Sequence, residues 1–265
     1  MGKESQIFYK KETPAEGKSS PACHRFQSSG AIECLFITGI HGLECGVIPI
    51  VQSQLSTRRF TGELKHSHMH IPNAHPEAVR AGTRTAAGID LNRQYKIPGE
   101  MPVHPGARLL RNMVSSSPIA YIFSFHEDHP DPNNPEQDAR PFYVYDIPRP
   151  NSNKKTDRLV DRLHKNLIAS LSRFGFSVFT GIDDPGDANL GVEFKNGYGN
   201  APSTVHDASF ETHMVDLGAR GHGTVERAFV FEIPGHATPF EKQVHVSQIF
   251  GSFILPFLQE ALPLT

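Results

Sequence analysis

Three short apolar runs constrain most tightly what this chain can form. Residues 32–40 (IECLFITGI), 119–125 (IAYIFSF) and 228–233 (AFVFEI) are rich in β-branched and aromatic side chains. Runs of this length read as strands covered on both faces. Shorter strand patterns occupy residues 66–71 and 142–146. Helical spacing appears over 43–55, 104–114, 156–174, 208–217 (capped by Gly218) and 239–261. It is clearest in 156–174, where Leu159, Leu163, Leu167 and Leu171 recur every fourth residue. Strands alternating with helices predict an α/β fold with a mixed, mostly parallel central sheet sandwiched by helices. In such sheets ligands collect at the carboxyl ends of the strands.

No repeat or linker divides the 265 residues, so a single catalytic-type domain is expected over 1–265, with 1–30 as an irregular lead-in carrying one edge strand. Residues 82–98 and 180–205 read as loops, the second long enough to suggest a functional role. A net charge of −2 gives no reason to expect nucleic acid or an anionic membrane as partner. No apolar stretch approaches the length of a membrane span. The charged first residues do not resemble a signal peptide, and three scattered cysteines form no disulfide framework, so a cytoplasmic location is expected. Cys45, beside Glu44, reads as a small buried residue opening a helix. Fifteen histidines are many for this length. His66, His68 and His70 alternate and so share one strand face, read as polar and exposed rather than as a second metal site.

The ends of the three main runs carry chemistry. The first leads into His41 and Glu44, three apart in CLFITGIHGLECG; the second stops at His126; the third contains Glu232. Two His and a carboxylate can hold a metal and leave a position open, and a nearby carboxylate can move the proton of an attacking water. An unpaired carboxylate inside AFVFEIPG would be costly, so Glu232 must reach water, a cation or a donor. The loop GIDLNRQY adds Asp90, able to accept a ring proton from a ligand His, and Asn92 with Arg93, able to grip a carboxylate. Arg84 could stabilise an oxyanion. Taken alone, D-x-N-R fits a salt bridge bracing the loop equally well.

The ordered set H-G-x-E, D-L-N-R, strand-end His and late strand-end Glu resembles the M14 zinc carboxypeptidases. Within them it is most similar to the succinylglutamate desuccinylase/aspartoacylase branch. The resemblance spans residues 35 to 235. It implies one Zn2+ held by His41, Glu44 and His126, with Glu232 as general base and acid and Arg84 polarising the scissile carbonyl. It further implies substrate carboxylate binding by Asn92 and Arg93, and Asp90 as partner of His41. Tyr198 is the candidate for the mobile tyrosine near the substrate terminus. With 33 residues after Glu232, the additional C-terminal β domain of aspartoacylase-type enzymes is not expected. The expected activity is hydrolysis of an amide bond near a free carboxylate in a small amide or peptide, as in a metallocarboxypeptidase. An N-acyl amino acid deacylase is the alternative, and a non-catalytic metal-binding protein on the same fold the further one.

Overall fold

A computed structural model describes residues 21–26, 33–96, 100–129, 140–183, 191–201 and 207–262. The strands are β1 (His24–Phe26), β2 (Cys34–Thr38), β3 (His68–Ile71), β4 (Tyr121–Asp128), β5 (Tyr143–Pro148), β6 (Gly181–Ile182), β7 (Glu193–Lys195), β8 (Tyr198–Asn200) and β9 (Arg227–Pro234). The helices are α1 (Ile48–Phe60), α2 (Pro76–Ala81), α3 (Pro105–Ser115), α4 (Lys154–Arg173), α5 (Phe210–Ala219), α6 (Pro239–Ile249) and α7 (Leu255–Ala261). A π-helical segment, Phe250–Ile254, joins the last two, and a 3-10 turn covers Leu91–Arg93.

The described strands form one sheet in the order β1-β3-β2-β4-β9-β5-β8-β7-β6. It is mixed: β3, β2, β4 and β9 run parallel at its centre, β5 joins β9 antiparallel, and the outer pairings are antiparallel except β5 with β8. Alternation along each strand sends side chains to two cores. Phe36, Phe123 and Phe229 stack across β2, β4 and β9 under α1, α4, α6 and α7. Leu35, Ile122, Ala228 and Val230 face α3 and α5. The predicted leucine stripe of α4 is buried throughout.

Several boundaries differ from expectation. The first main helix starts at Ile48 rather than residue 43, because Gly42 and Gly46 sit in a turn and Pro49 opens the helix. A Cβ on Gly42 would lie 2.0 Å from the Ala78 carbonyl, so only glycine lets this turn meet the α2 backbone. Gly218 lies inside α5, whose cap is Arg220. Short strands β6 to β8 occupy part of 180–205. Residues 184–190 and 202–206 of that predicted loop, like residues 1–20, lie outside the described set. Cys45 is exposed, not buried. No helix among the described residues is long and apolar enough to cross a membrane.

The alternating histidines are a second correction. His66, His68 and His70 are buried, because β1 adds to the outside of β3 and Phe26 and Phe36 pack on His68. Burial, with neighbouring positive charge, lowers His68 to a pKa of about 4 and His70 to about 3. Both values lie below the unfolded value, so their stabilising contribution is complete above pH 6.5 and lost as pH falls towards 4 and 3. Each costs about 2 kcal/mol between pH 6.5 and 5. Urea unfolding of the His70→Leu variant is therefore expected to show a pH dependence flatter by about that amount over the same window. An unchanged slope would contradict the account.

Candidate metal centre and active site

The parallel strands bring the key residues to one edge. β2 ends at Thr38, whose hydroxyl donates to Pro72 O at 2.7 Å, and the chain turns through Gly39 (φ 66°) into His41 and Glu44. His126 and Glu232 are register partners on adjacent β4 and β9, two residues before those strands end. Both lie in alternation with Ile122, Ala228 and Val230, and so project on the α3/α5 face of the sheet.

His41 Nδ1 lies 2.6 Å from Glu44 Oε1, and His126 Nδ1 lies 2.8 Å from Glu44 Oε2. One donor atom from each of the three residues falls within a 4.8 Å cluster, and all three residues are buried. Glu44 Oε2 makes no well-aligned hydrogen bond despite its burial. Two imidazole nitrogens and a carboxylate, converging and with Glu44 Oε2 unsatisfied, fit a single divalent ion with bonds of about 2.0–2.2 Å. Burial alone would raise Glu44, but His41 and His126 hold it far below the usual carboxylate range.

Glu232 is affected in the opposite sense. Burial, followed by the charges of Glu44, Asp128 and Asp183, pushes it well above the ordinary carboxylate range against the pull of His126. Two carboxylates side by side thus have opposite proton affinities, the pattern that separates a ligand from an acid-base group.

Asp90 Oδ1 meets His41 Nε2 at 3.1 Å and accepts from Asn92 N–H at 2.9 Å, while Oδ2 accepts from Arg84 Nε at 3.0 Å. Burial would raise Asp90, but His41, Arg84 and Arg93 keep it ionised at neutral pH. Arg84 is thus tied to the cluster through Asp90, with its side chain substantially exposed. Asn92 is buried, and its Oδ1 accepts from Phe210 N–H at 2.8 Å. Arg93 donates to Asn92 O at 3.1 Å.

Tyr198 is not brought to this cluster. It pairs with Val144 in β5 and packs on the opposite face of the sheet from His126, and its hydroxyl donates to buried Asp146 at 2.5 Å. Asp146 in turn faces Arg227, at the other end of β9 from Glu232. Alternation explains the miss: one register step changes the face.

The residues after His126 also take defined places. Glu127, one position on, projects to the other face, where it pairs with Lys242 of α6 and accepts from Val47 N–H at 2.8 Å. Asp128 Oδ2 accepts from Arg140 N–H at 2.7 Å. Residues 130–139 of the turn-rich loop lie outside the described set.

Two residues at the site carried no role in the sequence. Ser124, two positions before His126, meets His126 Nε2 at 3.1 Å, and Glu211 Oε1 lies 3.4 Å from the same nitrogen. Ser124 was legible in principle from the period-2 alternation. Glu211 was not, since only the docking of α5 brings it there.

No family model matches the sequence, and no curated protein does. Solved structures do match. One is a protein assigned as a metallopeptidase from Shewanella baltica OS155, at 19% identity and a TM-score of 0.66 over 93% of this chain and 85% of that one. A metallo-carboxypeptidase from Burkholderia cenocepacia matches at 12% identity and a TM-score of 0.57, over 91% of this chain and 61% of that one. The succinylglutamate desuccinylase from Chromobacterium violaceum matches at 14% and 0.51, over 88% and 67%. The chain therefore shares the fold of these solved structures over most of its length.

Proposed function

We propose that the protein is a zinc-dependent hydrolase that cleaves an amide bond near a free carboxylate. The observation that carries this reading is the cluster His41, Glu44 and His126 at the sheet edge, with Glu232 beside it on the neighbouring strand. A zinc ion bound there would supply Lewis acidity toward a carbonyl and toward water. Glu232 takes the proton of the attacking water and delivers it to the departing amine. Asp90 holds His41 in orientation through Nε2. Arg84, anchored on Asp90 through Nε, is assigned to the developing oxyanion, and Arg93 to the substrate carboxylate. Asn92 is assigned to the same carboxylate through its amide nitrogen, since its oxygen is engaged by α5.

The test is zinc loading followed by a panel of C-terminal dipeptides, N-succinyl amino acids and N-acetyl amino acids. Turnover of dipeptides supports the carboxypeptidase reading, and turnover of acylated amino acids supports the deacylase one. If zinc binds stoichiometrically yet every amide resists cleavage, the chain is a metal-binding protein on a hydrolase fold and the enzymatic proposal falls.

A further inference from the structure

We infer that Glu211 and Ser124 form a positioning device that sets the tautomer of His126, and that the 90–92 loop braces this device and the support of His41 together. The inference rests on the metal-centre reading above and extends it to residues that reading leaves without a role.

The argument is a proton inventory. Ser124 donates its single hydroxyl proton to Glu211 Oε1 at 2.6 Å. Its oxygen is then left only as an acceptor toward His126 Nε2 at 3.1 Å. Glu211 Oε1, which accepts that proton, also lies 3.4 Å from the same nitrogen. With acceptors alone around Nε2, the ring proton must sit there. Nδ1, the atom that faces Glu44 in the cluster, is thereby left as the ring nitrogen free to bind a metal.

The placement of Glu211 is built rather than incidental. It is 1% exposed, as is Ser124. Ser209 caps α5 by accepting from Thr212 N–H, and Asn92 Oδ1 accepts from Phe210 N–H, the residue immediately before Glu211. Two residues earlier in the same turn, Asp90 meets His41 Nε2. One short loop thus holds the carboxylate behind the first histidine and the helix that carries the carboxylate behind the second. A buried carboxylate is costly unless it is paired, and the partners of Glu211 here are Ser124 and His126.

The test uses the full chain with Glu211→Ala, Glu211→Gln and Ser124→Ala. Zinc affinity is read by competition with a chromophoric chelator, and the ring nitrogens of His126 by 15N NMR in metal-free and zinc-loaded protein. Zinc-loaded wild type should show a protonated Nε2 and a metal-bound Nδ1. Glu211→Ala should weaken zinc binding by about 10–100-fold and yield a mixture of tautomers. Glu211→Gln, which keeps an acceptor oxygen, should fall between the two, and Ser124→Ala should shift the ring signals in the same direction. Thermal melting of the metal-free variants separates general destabilisation from positioning. Wild-type tautomer and wild-type affinity in Glu211→Ala would overturn the inference, as would an affinity loss without any change in the ring signals. If wild type itself binds no zinc, the metal reading fails, while the Nε2–H signal in the metal-free variants still decides whether Glu211 and Ser124 hold that proton.

Discussion

Glu232→Gln is expected to lower turnover of any accepted amide by about 10²–10⁴-fold while zinc content stays at the wild-type level. The substitution keeps size and shape and removes the ability to take a proton. Glu232 is not among the three residues whose donor atoms converge, so losing its charge leaves the ligand set whole. The variant should also be as stable as wild type or more so. The charged form is opposed by burial and by Glu44, Asp128 and Asp183, and a neutral amide escapes that opposition. Zinc analysis, steady-state rates and melting on one preparation check all three points. A fully active, zinc-loaded variant would remove Glu232 from the proton-transfer role, and loss of zinc would make it a ligand instead.

Glu44→Ala is expected to have the largest effect on the metal. It removes one of the three proposed ligands and the only carboxylate among them, so zinc affinity should fall by more than the roughly 10–100-fold typical of losing an outer hydrogen-bond partner. The carboxylate is also what holds the two rings toward each other, through contacts of 2.6 and 2.8 Å. Wild type should gain thermal stability on adding zinc, about 2.7 kcal/mol at a free concentration one hundred times the dissociation constant. The variant should gain almost none at the same concentration. Differential scanning fluorimetry with and without zinc reads both. An equal stabilisation of the two proteins would place the ion elsewhere.

Much of the framework was legible because the central strands are nearly continuous apolar runs, as parallel strands covered on both faces must be. That alone put His41, Glu44, His126 and Glu232 near one sheet edge. The DLNR loop was legible as chemistry but ambiguous in use, and the structure shows why. Asp90 takes an ion pair from Arg84, which lies outside the motif, and also meets His41, while Arg93 donates to Asn92 O. A helix start after the first strand was misread by five residues because apolar spacing continues through the HGLE turn. Glycine and proline, not hydrophobicity, set that boundary. The His68 and His70 face was misread because edge-strand pairing by β1 is a long-range event with no local signal.

Periodicity and burial cost act locally, so the central strands, the main helices and the residue types able to hold a metal could be read from the chain, while short elements such as α2 and β6 to β8 could not. Tertiary structure decided which face of the sheet each side chain meets. It set Tyr198 on the far face with Asp146, sent Glu127 to Lys242, and brought Glu211 to His126 across 85 residues. The physical reason is that strand alternation sets a side chain's face, while only register and helix docking set what waits on it.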